Sequence, residues 1–251
     1  MISVVVPAYN EEEYIAKTLE SLASQDTKDK YEVILVDNNS TDKTVRIVNG
    51  FRNKLELKVV REKIKGRGAA RAAGFNKTGG EIILSTDADT TVPINWISKM
   101  TAELRSDKNN GAVTGTCKFC DQSWSVNIML NIFQPLAMIL YRIIFGHYWL
   151  SGFNFGIYKA VYEKSGGFLS KLNIQEDIEL SFKVAKLTKI KFVPDIPVIA
   201  SGRRFSQGLW RGMTGYVSTF IGYFWQHNDQ ALLLLHLHEI ELVHILSMEI
   251  I

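Results

Sequence analysis

The sequence is short of cysteine, of net charge and of linker-like stretches, and each shortage closes off a class of function. Two cysteines among 251 residues, Cys117 and Cys120, cannot build a disulfide framework. A zinc knuckle needs a second Cys or His pair at suitable spacing, and none follows. A redox CxxC ordinarily opens a helix near the start of its domain, whereas this one follows "GAVTGT" in mid-chain. Two structural thiols in a reducing compartment are the expectation. The formal net charge of +3 is too small to argue for nucleic acid. No internal repeat, low-complexity tract or long linker interrupts the chain. No basic n-region precedes the first apolar run, so no secretory signal is expected and the opening residues are read as part of the fold.

What is present is 46% hydrophobic residues, enough for one sizeable core. "ISVVVPAYN" is a β-branched run closed by Pro7 and Asn10, the pattern of a strand buried on both faces. "EEEYIAKTLESLASQ" has Tyr14, Ile15, Leu19 and Leu22 near helical spacing, with acids in its first turn. "YEVILVDNNS" predicts a second strand, and "STDKTVRIVNGF" a helix capped by Ser40 or Thr41. "LELKVVRE", "GEIILSTDAD" and "GAVTGTC" predict further strands; "GRGAARAAGFNKT" and "INWISKMTAELRS" predict helices. This alternation implies a mostly parallel, helix-covered sheet. Ligands of such sheets sit beyond the carboxyl ends of the strands. Asn10 and Glu11, Asp37 and Asn38, Arg61 to Arg67, and Asp87 and Asp89 all fall at those ends.

The pattern changes after about residue 121. Residues 122 to 141 carry no charge and reach the ~20 residues of a bilayer span. Asn127, Asn131, Gln134 and Pro135 make a poor span, so an amphipathic helix on the body or on a membrane surface is expected. "SGFNFGIYKAVYEKSGGF" reads as strand and turn. "IQEDIELSFKVAKL" reads as a helix with Ile178, Phe182 and Ala185 on one face. "KIKFVPDIPVIAS" reads as a strand pair interrupted by Pro194 and Pro197. The expected organisation is a domain over 1–205, divided near 120, and a helical segment over 206–251. That last segment suits membrane-interface contact through Trp210, Tyr216, Phe220 and Trp225, or packing on the body or a second subunit.

Asp87 and Asp89, one residue apart at a strand end, suit a hard divalent cation, Mg²⁺ or Mn²⁺, or else form a solvated turn. Asp37 suits a ribose or base N–H, or an Asx-turn, and Asp42 a local turn or helix start. Gly66 and Gly68 invite comparison with a dinucleotide loop, but Arg71 replaces the third glycine and the stretch follows the third strand. Lys63, Arg67 and Arg71 suit phosphate oxygens near a helix N-terminus, or a solvated basic face. Glu176 and Asp177 complement a helix dipole or supply a general base. Arg203 and Arg204 suit a diphosphate, or a salt bridge to that acidic pair.

In order, "VVVPAYNEEEYI", "VILVDNNSTDKT", "KGRGAARAAGFNKTGGEIILSTDAD", "SGFNFGIYKAVYEKSGGF", "EDIELSFKV" and "RRF" resemble the successive blocks of family 2 glycosyltransferases, over residues 1 to about 205. The resemblance implies a GT-A fold, a three-layer α/β/α sandwich. It implies inverting transfer from a nucleoside-diphosphate sugar with Mg²⁺ or Mn²⁺, to a glycan or lipid-linked acceptor. On this resemblance Pro7, Ala8, Tyr9 and Glu11 line the nucleoside pocket with Asp37. Arg67 lies near base or phosphates, and Asn39, Arg71 and Ala88 complete the donor-binding set. Asp87 faces ribose and metal, Asp89 ligates the metal, Asp177 is the base beside Glu176, and Arg203 or Arg204 meets the diphosphate. Two departures stand out: "VIASGRR" lacks the histidine many relatives carry there, and Ala73 replaces their Asn before Gly74. The expected setting is cytoplasmic, at the cytoplasmic face of a membrane, with homo-oligomers allowed and nucleic acid not. A nucleotidyltransferase should show a Gly-rich basic loop after strand one, where "PAYNEEEY" is acidic. A noncatalytic subunit of a glycan-assembly complex is the third reading, opposed by the intact Asp89 and Asp177.

Overall fold

The computed structural model describes residues 1–173 and 175–205, within a compact unit spanning Met1–Ser206. The segment expected to be helical from 206 lies outside the described residues. The β-branched runs become β1 (Ile2–Ala8), β2 (Tyr31–Asp37), β3 (Leu57–Arg61) and β4 (Ile82–Ser85), all parallel, in the order β3-β2-β1-β4. Register brings Ala8 level with Asp37 and Asp37 level with Arg61, so these strands end on one edge. Alternate residues serve opposite faces. Val5, Ile34, Val36 and Ile83 join one cluster with Ala70 and Phe75 of α3 (Arg67–Phe75). Val4, Val6, Leu35 and Leu84 are left for the other face and are fully buried. Each such side chain contributes roughly 1.5–3 kcal/mol by leaving water.

Helix α1 (Ile15–Ala23) buries Ile15, Leu19 and Leu22, as its spacing predicts. Its acids do not enter the first turn. Glu11 lies before the helix, and its carbonyl accepts the Tyr14 and Ile15 N–H groups. Helix α2 (Thr44–Asn49) begins later than expected, because the Asp42 carboxylate takes the Thr44 N–H at 2.9 Å and the Thr44 hydroxyl at 2.6 Å.

The second half turns the sheet mixed. β5 (Thr90–Thr91), α4 (Trp96–Arg105), β6 (Asn110–Lys118), α5 (Trp124–Phe145), β7 (Phe155–Tyr158), α6 (Lys159–Lys164), α7 (Glu176–Ala185) and β8 (Lys189–Ala200) follow. They extend the order as β4-β7-β6-β8-β5, with β7 antiparallel to β4 and β6, and β5 antiparallel to β8. The expected turn after β7 is instead the short helix α6. The expected strand pair is one strand, β8, whose pairing slips from Gly115↔Val193 to Cys117↔Val198. Pro194 and Pro197 lie in the slip, because proline has no N–H for the ladder. In α7 the buried positions are Glu176, Leu180, Ser181 and Val184, while Ala185 packs partly buried against the core and Phe182 against His147. Both cysteines are free, and burial on β6 pushes the Cys117 thiol up to about 12.

Helix α5 is the uncharged run. The Asn131 side chain bonds both the N–H and the carbonyl of Phe119, and Asn127 binds the Gln122 carbonyl at 2.9 Å, so its polar residues fasten it to the preceding loop. By length and composition α5 could cross a membrane, and only a small share of it is buried. β6 precedes it and β7 follows it, and these strands pair side by side at Thr114↔Phe155.

Candidate active site

The strand-end loops of the first half are stitched together by side chains. Asn10, at φ 53°, donates its N–H to the Ser40 hydroxyl and accepts the Thr41 N–H. Asp37 accepts the N–H of Ser40, three residues on, at 2.9 Å, and is buried. Asn38 donates to the Glu62 and Ile64 carbonyls and accepts the Gly66 N–H. Asn39, at φ 67°, donates to the Lys63 carbonyl. The loop before α3 is therefore moulded onto the end of β2. Gly66 suits its φ of 141°, and a Cβ at Gly68 would stand 2.3 Å from the Leu172 carbonyl oxygen. Arg67 is thereby presented, exposed, at the first residue of α3.

One turn later, Arg71 points inward. It is 3% exposed. Its Nε donates to Glu176 Oε1 at 3.1 Å, its Nη1 to Ser85 Oγ and the Gly152 carbonyl at 3.0 Å each, and its Nη2 to Asp87 Oδ1 at 2.8 Å. Burial opposes its charge, but Asp87, Glu176 and Asp177 outweigh burial and hold its pKa above the ordinary range. Its guanidinium is thus enclosed by protein groups rather than turned to solvent like that of Arg67.

Asp89 sits on a different arginine. The Arg203 guanidinium lies 3.1 Å from Asp89 Oδ2, pairs with both oxygens of Glu11, and stacks over the Tyr14 ring at 4.9 Å. The expected alternative, a salt bridge from this arginine to Glu176 and Asp177, gives way to Glu11 and Asp89 as partners. The two-residue strand β5 causes the placement: Thr90 pairs with Ala200, and the Ser201 N–H reaches the Asp89 carbonyl at 3.2 Å. That brings the start of "GRRF" against the aspartates. Ala88 is buried, with its carbonyl held by the Thr18 hydroxyl at 2.8 Å. Burial, then the neighbouring Asp87 and Glu11 charges, push Asp89 up to about 6 despite Arg203. Four carboxylates, Glu11, Asp87, Asp89 and Glu176, pair with two arginines here, and Asp87 and Asp89 remain partly open to solvent. An all-oxygen, electron-rich site of this kind fits a hard divalent cation. Among the described residues no group of three or more His, Cys, Asp or Glu side chains is placed to hold a metal ion.

Asp177 lies at the start of α7. Its Oδ2 accepts the Gly152 N–H at 3.2 Å and its Oδ1 the Ile178 N–H at 2.9 Å. Burial, then the adjacent Glu176 charge, raise it to about 6, with Arg71 acting in the opposite direction. Glu176 beside it is 3% exposed.

The family model for Glycosyl transferase family 2 matches residues 3–166. The chain belongs to this family. It is 33% identical over 212 residues to the probable glycosyltransferase YdaM of Bacillus subtilis, covering 77% of this chain and 49% of YdaM. It is 46% identical over 90 residues to the poly(ribitol-phosphate) β-N-acetylglucosaminyltransferase TarS of Staphylococcus aureus, covering 35% of this chain and 16% of TarS. The crystal structure of TarS superposes with TM-score 0.66 and 28% identity over 80% of this chain and 36% of that one. A TarS fragment, residues 1–349, has been solved with UDP (TM-score 0.63, 26% identity), covering 80% of this chain and 60% of that one. The chain spans half or less of the length of YdaM and full-length TarS. The α/β architecture is thus that of the GT-A glycosyltransferases, as the resemblance implied.

The sequence-derived set divides in space. Glu11, Asp89 and Arg203 form one cluster, and Arg71, Asp87, Glu176 and Asp177 form the next, joined through the turn from Asp87 to Asp89. Pro7 and Ala8 end β1 level with Val36 and Asp37, while Tyr9 is exposed with Lys65 5.3 Å from its ring. Arg204 is exposed on the short 3₁₀ turn Arg203–Phe205. Gly152, Ser85 and Asn154 were missed. The first two bind Arg71, and Asn154 bonds Trp96 Nε1 and the carbonyls of Thr116 and Ile196. The unexplained polarity of "SGFN" beside a strand signalled Asn154; no sequence signal marked Gly152 or Ser85.

Proposed function

We propose that the chain transfers a sugar, with inversion, from a nucleoside-diphosphate sugar to a hydroxyl or phosphate of a glycan or lipid-linked acceptor. The observation that carries this reading is the convergence of Asp87, Asp89 and Asp177 on one sheet edge, with Asp177 raised toward neutrality. Asp177 takes the proton of the acceptor hydroxyl; the oxygen attacks the anomeric carbon as the bond to the diphosphate breaks. One carboxylate suffices, because no covalent sugar–enzyme bond is formed. Asp87 and Asp89 would hold Mg²⁺ or Mn²⁺, which when bound stabilises the charge developing on the leaving diphosphate. Arg67 at the N-terminus of α3 and Arg203 and Arg204 add positive charge on the same side. Asp37 and the loop around Asn39 offer hydrogen-bonding groups to the nucleoside. TarS binds UDP, which favours a nucleoside-diphosphate donor for this family member as well.

Helix α5 supports work at a membrane surface, on the cytoplasmic side where nucleotide sugars are found. Between Ile128 and Ile144 its exposed residues are apolar except Arg142, and Ile132, Leu136 and Leu140 are 57–58% exposed. Trp124 at one end and Arg142 near the other suit the interfacial region of a bilayer. Relatives that include an undecaprenyl-phosphate 4-deoxy-4-formamido-L-arabinose transferase make a lipid-linked acceptor a reasonable substrate class.

Two substitutions test the chemistry. Asp89→Ala and Asp177→Asn should each abolish transfer, Asp177→Asn with nucleotide binding largely kept. Full turnover by Asp177→Asn refutes the base assignment.

A further inference from the structure

We propose, resting on the functional reading above, that Arg71 is the positioning residue that locks the base-bearing helix and the donor-side aspartate turn into one geometry. Three chain segments distant in sequence meet on its guanidinium: Ser85 at the end of β4 with Asp87 just after it, Gly152 before β7, and Glu176 on α7. Each partner adjoins a reacting group. Asp87 belongs to the metal turn. Glu176 is the residue before Asp177. The Gly152 peptide gives its carbonyl to Arg71 and its N–H to Asp177 Oδ2. That carbonyl also accepts the Ser85 hydroxyl at 2.8 Å, so the peptide is held on both sides.

The residue types are constrained accordingly. A planar fork of N–H donors is needed to serve partners in several directions at once, and only arginine carries one. A Cβ at Gly152 would stand 2.4 Å from Arg71 Nη2 and 3.2 Å from Asp177 Oδ2, so the backbone approaches as closely as it can. The guanidinium also supplies the positive charge that faces Asp177, against Glu176 beside it. Arg71 itself is buried and reaches no solvent-facing phosphate position. Its effect on transfer is therefore exerted through Asp87, Glu176 and Gly152. The geometry relates the donor and acceptor sides of the site through one side chain.

The test uses the whole chain with Arg71→Lys, Arg71→Gln and the double variant Arg71→Gln/Glu176→Gln. The double variant removes the buried charges as a pair and keeps a folded reference if Arg71→Gln alone does not fold. Binding is probed with UDP, GDP and dTDP plus Mn²⁺, and the Asp177 carboxyl is followed by ¹³C titration, identified by its loss in Asp177→Asn. Arg71→Lys should keep nucleotide affinity within about threefold while kcat falls roughly tenfold or more, since an ammonium cannot span these partners. In whichever of the two Gln-containing variants folds, the Asp177 titration should move: upward in Arg71→Gln, where the facing positive charge is lost, and downward in the double variant, where the larger Glu176 effect is lost as well. A residue of purely structural importance leaves kcat of the folded Arg71→Lys protein and the Asp177 titration unchanged, and that result overturns the proposal. Absence of transfer by the wild-type chain with every donor counts against the functional reading instead; the titration then still decides whether Arg71 governs Asp177.

Discussion

Acidification from about pH 7.5 to about pH 5 should cut turnover roughly tenfold, in a range where an ordinary aspartate stays ionised. The perturbation acts on Asp177, which burial and the neighbouring Glu176 hold at about 6. A base with that value is almost wholly ionised at the upper pH and about one-tenth ionised at the lower, whereas one at the ordinary value would lose almost nothing. The sign for folding is separate. A carboxyl raised in the folded state favours its protonated form there, so its contribution to stability falls as pH rises from the unfolded value through about 6. Activity lost on acidification is therefore not unfolding driven by this group. Asp89 is also raised to about 6, so saturating Mn²⁺ is needed to keep it ionised and isolate Asp177. The assay is kcat against pH at saturating donor and metal, with thermal denaturation at each pH. Undiminished kcat at about pH 5 would refute the argument that Asp177 is the raised base.

Further perturbations probe the frame and the helix face. Asn154→Ala orphans the Trp96 N–H and the carbonyls of Thr116 and Ile196, so urea denaturation should show a loss of about 3 kcal/mol or more. A loss below about 1 kcal/mol would mean the network carries little. Ile132→Asp with Leu136→Asp alters two exposed positions and should leave the melting temperature near wild type while reducing flotation with phosphatidylglycerol vesicles. Equal flotation of the variant speaks against α5 as the membrane face.

Three strands of the first half were legible because they are almost continuous runs of buried positions, β1, β2 and β4; β3 is half exposed, with Lys58 and Arg61 on the surface. The polar residues of 122 to 141 already pointed to an amphipathic helix rather than a span, and α5 is that helix; the pairing of β6 with β7 on either side of it is long-range and has no local pattern. The aspartates were visible for the same reason they are unusual: two carboxylates at a strand end have few structural uses. Their partners were not. Arg71 read as one of several basic residues near a helix start, and its helical register, one turn inside Arg67, is what buries it. That Arg203 would meet Glu11 and Asp89 was not legible, because β5 is only two residues long and leaves no periodicity to read. Gly152 contributes through its peptide alone, and a peptide group has no sequence signature.

The most direct test of the central claim is a thermal-shift screen of the chain against UDP-, GDP- and dTDP-sugars, with and without Mn²⁺. A donor at about a hundred times its Kd should stabilise the fold by roughly 2.7 kcal/mol. The account predicts a shift with one nucleotide class that requires the metal and is lost in Asp89→Ala. No shift with any nucleotide sugar, or an equal shift without metal and in Asp89→Ala, would contradict it.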